Sequence, residues 1–269
     1  MVESIYTKMS QNRILEVKTV QAGAFRILIE ALKEILTDAN LEFDGTGMKV
    51  MAMDSSHTVL VHLKLHADNF EHYHISKNKI VLGVNMINLF KLIKTMGNND
   101  TLTLYVNDGA ENLLGILLEN EEKNLKTQYE LNLMDLNEEN MSIPAAEFKS
   151  VITMPAVDFQ KICRDMHNLA DNIEIQSVGS QLVFRCNGDF ASQETVIGET
   201  FAGMSFVKND NPDDIMQGLF ALKHLVLFSK CTNLCPSIEL YLKNDYPLII
   251  KYLVASLGEI KLCLAPKIE

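Results

Sequence analysis

The sequence predicts an α+β fold of two similar domains, each combining two helices with antiparallel sheets. Its 269 residues, 47% of them apolar, suffice for one large domain or two of ordinary size with a substantial core. Four segments show apolar residues at helical spacing, and strand-like alternation fills most of the remainder. The order of helical and strand segments occurs twice, which indicates an internal repeat.

Two segments at equivalent places in the halves predict amphipathic helices. FRILIEALKEIL (residues 25–36) and FQKICRDMHNLA (residues 159–170) align without a gap, with apolar positions three or four residues apart. A second pair, GVNMINLFKLIKTM (residues 83–96) and GLFALKHLVLFSKC (residues 218–231), shows the same period. The coinciding apolar positions of the first pair are Phe25 with Phe159, Leu28 with Ile162, Leu32 with Met166, and Ile35 with Leu169.

Strands and tight turns are predicted between these helices. TVLVHLKLH (residues 58–66) alternates apolar and polar side chains, which is typical of a half-buried strand. Residues 238–265 predict a meander of strands. Glycine-containing turns are indicated at residues 44–47, 107–109, 179 and 187–188.

The repeat divides the chain into two domains, at residues 15–130 and 147–269. An extension of residues 1–14 precedes them, and an acidic connector of residues 131–146, which contains Pro144, joins them. The alternative is one continuous α+β domain whose internal similarities arise by chance.

Charge is segregated between the predicted helices and the rest of the chain. The formal net charge is −11, which by itself argues against nucleic-acid binding. The four helical segments, however, hold eight basic and three acidic residues, a net +5 that leaves −16 for the remainder. On each helix the two cations lie three or seven residues apart, and therefore on one face. These cations are Arg26, Lys33, Lys91, Lys94, Lys161, Arg164, Lys223 and Lys230.

Helices with cationic faces suit loose contacts with DNA phosphates. No pattern of Asn, Gln and Arg for reading base edges stands out. The alternative is that soluble helices simply expose their lysines to water, but the same bias on four helices favours DNA. The sequence therefore predicts weak, salt-sensitive binding of duplex DNA that is indifferent to base sequence.

Catalysis is not indicated. The stretch Asp54-Ser55-Ser56-His57 contains the residue types of a hydrolase, but neighbouring side chains point apart and triads gather their members from distant segments. GxSxG and the glycine-rich phosphate-binding motifs do not occur. We predict no enzyme activity and no cofactor; an enzyme, the alternative, would lose turnover on replacement of His57.

A metal site and secretion are not indicated either. His57, His62, His66, His72 and His74 are spread over both faces of predicted strands, and the five cysteines lack zinc-site spacing. Free thiols in a reducing compartment are expected. No run of 18 apolar residues and no signal peptide occurs, so we expect a soluble intracellular protein.

Seven stretches of sequence are specific enough to indicate a family. They are EALKEIL, MAMDSSHTVLVHL, GVNMINLFKLIK, LNLMDL with Ile-Pro following, FQKICRDM, LFALKHLVLFSK and LAPKIE. They occur in this order and spacing, and the similarity that they carry covers the chain from about residue 15 to residue 269. With them the sequence resembles the proliferating cell nuclear antigen family of eukaryotic and viral DNA sliding clamps.

The resemblance implies a homotrimeric ring that encircles duplex DNA. In that family, helices from two similar domains per subunit line a central hole, and sheets form the outside. The eight cations given above match pore-facing positions. The resemblance thus implies a processivity factor for replication and repair, acting in a nucleus or a viral replication compartment.

The resemblance also implies a pocket for the short clamp-binding motifs (PIP boxes) of partner proteins, bordered by the Ser-Ser-His turn. Such motifs insert an apolar residue and two aromatics. The partners implied are a DNA polymerase, a clamp loader, a DNA ligase and a flap endonuclease. Cys263 stands where the family has a bulky aromatic beside this pocket. The matching pocket positions are Met53, His57, Val59, Met141, Ile143, Pro144, Pro247, Ala265, Pro266, Lys267 and Ile268.

Contacts between subunits are implied through edge strands, residues 112–118 of one subunit and residues 192–200 of the next. The second stretch differs from the family pattern. A clamp-fold processivity factor that works as a monomer bound to one polymerase is the alternative. The implied interface residues are Asn112, Leu113, Leu114, Ile116, Leu118, Thr195, Val196 and Ile197.

Overall fold

The computed structural model describes residues 13–137, 146–210 and 214–267, and its architecture is the α+β one that the sequence predicts. The helices are α1 (Ala22–Ile35), α2 (Met86–Ile93), α3 (Ala156–His167) and α4 (Leu222–Phe228). The strands are β1 (Arg13–Thr19), β2 (Asp38–Asp44), β3 (Gly47–Met53), β4 (Val59–His66), β5 (His72–Ile75), β6 (Lys79–Asn85), β7 (Thr101–Asn107), β8 (Leu113–Asn120), β9 (Leu125–Asn132), β10 (Ser150–Pro155), β11 (Asn172–Val178), β12 (Gln181–Asn187), β13 (Ser192–Gly198), β14 (Ser205–Asn209), β15 (Met216–Ala221), β16 (Ser237–Leu242), β17 (Leu248–Val254) and β18 (Gly258–Leu264).

The two halves of the chain repeat the same order of elements. Each begins with one strand and a helix, continues with five strands and a second helix, and ends with three strands. Phe25 of α1 and Phe159 of α3, aligned in the sequence, are both fully buried. The amphipathic pattern of these two helices is therefore confirmed.

Three antiparallel sheets hold the described strands. One has the order β5-β1-β7-β8-β9 and belongs to the first half, and another, β13-β12-β11-β15, belongs to the second. The third, β14-β10-β16-β17-β18-β4-β3-β2-β6, crosses between the halves. At its centre, β18 pairs with β4 over seven residue pairs, from Gly258 opposite Leu65 to Leu264 opposite Val59. Hydrogen-bonded backbone thus joins the halves directly.

The helices of both halves form one continuous layer against the sheets. Helix α1 packs against α2 and against a 3-10 helix, Ser229–Leu234, which follows α4. Helix α3 packs against α4 and the same 3-10 helix, and against β10 and β16. The layer therefore runs from α2 through α1 to α4 and α3.

Helices α2 and α4 are shorter than the sequence predicts. Residues 83–85 end β6, and α2 begins after Asn85, whose side chain accepts a hydrogen bond from the backbone N–H of Asn88. Asparagine is a favoured residue at this capping position, so the boundary could have been recognised in the sequence. Residues 218–221 likewise belong to β15, and Lys230 lies in the 3-10 helix rather than in α4.

The predicted turns have the expected backbone. Gly109 and Gly179 adopt φ of 77° and 59°, a region that glycine tolerates best. At the turn after β2, Asp44 accepts hydrogen bonds from Thr46 and pairs with Lys49 at 2.6 Å. These contacts outweigh partial burial and lower the pKa of Asp44 to about 2.

All five cysteines are free thiols, and four of them are buried. Within the described ranges, no helix combines the length and apolarity needed to cross a lipid bilayer.

Candidate functional site

The helix layer presents most of its predicted cations to solvent. Six of the eight are exposed, because the apolar face of each helix packs inward and the opposite face is left to water. Arg26 and Lys33 on α1 are only half-exposed. We call the eight cations together the basic helical face.

The cations of α1 are neutralised within the chain. Arg26 lies 3.9 Å from Glu30, one turn along the helix. Lys33 pairs with Glu34 and also lies 4.9 Å from the centre of the Phe90 ring.

Glu34 also forms an ion pair with Lys230 of the second half, whose ammonium nitrogen lies 3.7 Å from the carboxylate. The hydrogen bond from Lys33 is the main cause that lowers the pKa of Glu34; partial burial opposes it, and the charges of both lysines add to it. Glu34 thus neutralises two members of the basic helical face.

The other five cations of the face are available to an external anion. None lies within 4 Å of a carboxylate in the described part of the chain, and all are exposed. They come from three helices in both halves, and they are Lys91, Lys94, Lys161, Arg164 and Lys223.

The opposite side of the nine-stranded sheet differs in electrostatics. Tyr252 of β17 is fully buried, so its neighbour Lys251 points to the other face. There Lys251 lies 3.0 Å from Glu239 and 3.7 Å from Glu259. Lys251 and Lys261 on this face each lie within 4 Å of a carboxylate, whereas five cations on the helices do not.

Asp54 organises the turn at the Asp-Ser-Ser-His stretch. Its carboxylate accepts hydrogen bonds from the backbone N–H groups of Thr58 and Val59, both at 2.8 Å, and from the Ser56 hydroxyl. Partial burial favours the protonated acid, but these hydrogen bonds outweigh it and lower the pKa of Asp54. His57 takes a left-handed φ of 53° at the tip. The polar residues shape a turn, and the Ser56 hydroxyl bonds Asp54 and Thr58 rather than His57.

This turn forms one wall of an apolar pocket of about 150 Å³. The lining includes six residues that the resemblance implied or singled out, together with side chains from the β16–β17 hairpin that sequence reasoning missed. Burial raises the pKa of the Cys263 thiol to about 11, so the thiol is neutral and acts as an apolar wall at neutral pH. The lining residues are Met53, His57, Thr58, Val59, Leu60, Tyr246, Pro247, Ile249, Cys263 and Ala265.

Pro266 and Lys267 do not line this pocket. They border a larger open groove, of about 1060 Å³, that meets the pocket at Ala265. The backbone N–H of Lys267 donates to the carbonyl of Leu219 at 2.8 Å, so the last described residue contacts β15. The other implied pocket residues, Met141, Ile143, Pro144 and Ile268, lie outside the described residues.

One of the two strands that the resemblance placed at a sheet edge is not an edge strand. Residues 113–120 form β8, which lies between β7 and β9 in its sheet, so Asn112, Leu113, Leu114, Ile116 and Leu118 do not belong to an edge strand. Leu114 and Ile116 are fully buried in the core. The edge is β9, whereas β13, which carries Thr195, Val196 and Ile197, is an edge strand.

The histidines of β4 and β5 do not gather into a cluster. Across the part of the chain that the structure describes, no group of three His, Cys, Asp or Glu residues is placed to hold a metal ion. His62 is half-buried beside Lys261, and burial with that charge lowers its pKa.

Both halves of the chain match the description of a known protein family. The family description "Proliferating cell nuclear antigen, N-terminal domain" matches residues 14–141, and "Proliferating cell nuclear antigen, C-terminal domain" matches residues 142–267. The chain is also 36% identical over 259 residues to the "Probable DNA polymerase sliding clamp 1" of Paramecium bursaria Chlorella virus 1, covering 95% of this chain and 97% of that protein. Together with the repeated α+β halves, these matches establish that the chain belongs to the proliferating cell nuclear antigen family of DNA sliding clamps.

Proposed function

We propose that this chain closes into a homotrimeric ring around duplex DNA and holds replication proteins to it. The observation that carries the proposal is the helix layer, which spans both halves and exposes five unpaired cations. Such a surface attracts phosphates at any base sequence and lets DNA slide past. In the proposed ring the layer faces DNA, and the opposite face of the nine-stranded sheet, where Lys251 and Lys261 are paired with carboxylates, does not.

The free sheet edges suggest how subunits join. The β6 edge is covered, because the backbone N–H of Met134 donates to the carbonyl of Gly83 at 2.8 Å. The β15 edge is covered by the bond from Lys267 to Leu219. Edges β5 and β14 have only four and five residues, and short edges pair weakly. Strands β9 and β13, with eight and seven residues, are the long uncovered edges of the described sheets.

Strands β9 and β13 belong to different halves, so their pairing would be a head-to-tail contact. Contacts of this type generate closed rings when the rotation between subunits permits closure. We therefore assign the subunit interface to β9 in place of residues 112–118, opposite Thr195, Val196 and Ile197 on β13 of the next subunit.

Absolute molar mass tests the ring. Light scattering on a size-exclusion column, over a hundredfold range of concentration, is expected to give three 30.3 kDa chains. A single chain at every concentration would exclude the homotrimer and favour a clamp-fold monomer bound to one polymerase.

Encirclement has its own test, with fluorescent linear duplex DNA. A ring threads over open ends, is trapped when streptavidin blocks both ends after mixing, and is excluded when both ends are blocked first. Equal binding to open and pre-blocked DNA would show binding from one side.

We also propose that the apolar pocket takes a short peptide motif with an aromatic anchor. Met53 at the rim is 39% exposed, while Val59 and Ile249 form a buried apolar floor. In such a cleft, most of the affinity for a peptide comes from a few anchoring side chains of the peptide. A DNA polymerase, a clamp loader, a DNA ligase and a flap endonuclease are the proposed partners, in a nucleus or a viral replication compartment.

The pocket is tested with a labelled peptide that carries one apolar and two aromatic anchors. Met53→Glu is expected to weaken binding about tenfold or more, as loss of an anchoring contact does. Leu253→Glu is the control, since Leu253 is also exposed on the nine-stranded sheet but lies outside the pocket. Equal binding by both variants would exclude this pocket as the peptide site.

A further inference from the structure

Exposed apolar side chains are concentrated around β13. Phe201 is fully exposed and Phe190 is 77% exposed, whereas the other aromatic side chains that the structure describes are buried or half-buried. Phe190 precedes the strand by two residues and Phe201 follows it by three. Val196, on the strand itself, is 48% exposed. Single exposed apolar residues are ordinary, but three along one free edge indicate a surface that another chain covers.

Strand β9 carries exposed apolar residues at both of its own ends. Leu125, its first residue, is 55% exposed. Met134, two residues past its last residue, is 43% exposed. Each long uncovered edge thus presents one apolar group at either end, and the two strands differ in length by one residue. This match in length and chemistry identifies a second copy of the chain as the occupant.

Orientation decides which groups meet. All strand pairs of the described sheets are antiparallel, and antiparallel pairing is slightly more stable per residue than parallel pairing. In an antiparallel β9–β13 pair, the start of β9 lies beside the end of β13. Leu125 then lies near Phe201, and Met134 lies near Phe190.

We propose that Phe190 and Phe201 are the residues by which β13 recognises the β9 edge of a second copy of this chain. Phe201 packs against Leu125 of the partner subunit, and Phe190 packs against Met134 of the partner subunit. The proposal rests on the ring proposed above and specifies which side chains hold it closed. Backbone pairing along the strands does not depend on sequence, whereas these apolar contacts make the β13 edge selective for another copy of the same chain.

Dilution of single variants tests the contacts. Phe190→Ser and Phe201→Ser are each expected to raise the concentration of half-dissociation, followed by light scattering, about tenfold or more, because buried aromatic anchors dominate interfaces. Leu253→Ser is the matched control, exposed to a similar extent as Leu125 but on β17. Thermal unfolding of each variant at a concentration where all are monomeric checks that the fold is kept.

A double-mutant cycle tests the pairing itself. The effects of Leu125→Ser and Phe201→Ser are expected to be less than additive, whereas those of Leu125→Ser and Phe190→Ser add. Coupling of Leu125 to Phe190 instead would mean parallel pairing and would overturn the assigned contacts.

The outcomes separate this inference from the ring itself. A wild-type trimer whose phenylalanine variants dissociate like the Leu253→Ser control would overturn the inference and leave the ring standing. A wild-type protein that is monomeric at every concentration would overturn both.

Discussion

Helices α1 and α3 occupy equivalent places in the two halves, yet their cations differ in availability. On α1, Arg26 and Lys33 are half-exposed and paired with Glu30 and Glu34. On α3, Lys161 and Arg164 are exposed and unpaired within the described residues. Each helix carries two carboxylates, but Asp158 and Asp165 of α3 form no ion pair with either α3 cation, whereas Glu30 and Glu34 pair with the cations of α1.

The contrast shows that a cation at an equivalent position on the helix layer is not necessarily available to bind an anion. A cation already held by a carboxylate gains little from a phosphate, because it must first give up its partner. In the proposed ring, DNA would therefore be held mainly by α2, α3 and α4, and α1 would serve chiefly to join the halves through Glu34 and Lys230.

The largest expected effect comes from removing the α3 cations. Lys161→Ala with Arg164→Ala is expected to weaken binding to a short duplex roughly tenfold or more, since each lost phosphate contact lowers affinity about eightfold at 0.1 M salt. Fluorescence anisotropy over a salt series would measure the affinity and its salt dependence. Lys77→Ala with Lys149→Ala removes the same charge away from the helices and should have little effect. Equal losses in the two double variants would mean that net charge alone, and not the helical face, governs binding.

An increase in affinity is expected from Glu34→Gln. The substitution keeps the size of the side chain but releases both Lys33 and Lys230 from their ion pairs. Binding to the same duplex should strengthen by about three- to eightfold, up to the value of one additional phosphate contact. Glu30→Gln, which frees only Arg26, is the comparison and should give a smaller gain. Unchanged binding by Glu34→Gln would remove the proposed difference between α1 and α3.

A smaller loss is expected from removing the α1 cations. Arg26→Ala with Lys33→Ala should lower duplex affinity by roughly twofold or less, because both charges are already neutralised and add little counterion release. The same anisotropy titration measures it beside the α3 variant. A loss as large as that of the α3 variant would contradict the ranking.

The smallest expected effect concerns pH. The pKa of Glu34 is lowered, so its carboxylate keeps its pairing until the pH falls through that lowered pKa. The ratio of duplex affinities between Glu34→Gln and the unchanged protein should therefore stay constant from pH 7 to pH 5. Convergence of the two affinities already above pH 5 would place the Glu34 pKa higher than its contacts imply.

The sequence predicted local features well where one residue pattern decides them. Helical spacing identified the buried faces of α1 and α3, and glycine turns marked the hairpins. The neutralisation of Lys230 within the basic helical face was not predictable, because Glu34 and Lys230 are far apart in the chain and meet only when the helix layer forms. The pocket wall contributed by Tyr246 and Ile249 depends in the same way on where the β16–β17 hairpin packs.

The sequence shows why residues 112–118 were mistaken for an edge strand. LLGILLEN is nearly continuous in apolar residues, as expected of a strand buried on both faces, whereas LKTQYELN alternates and is half-polar, as expected at an edge. The turn between them includes Asn124 with φ of 46°, a conformation that asparagine accepts more readily than most residues. Strand β9 could therefore have been recognised as a separate edge strand.

The seven-pair junction of β4 and β18 has a mechanical consequence. A load applied across one subunit passes along a ladder of backbone hydrogen bonds, which resists bending between the halves. Each subunit would then behave as a rigid unit. A protein that opens the proposed ring would separate it most easily at the interface between β9 and β13. Strain would concentrate at that interface. One opened interface would admit DNA while the two remaining interfaces keep the three subunits together.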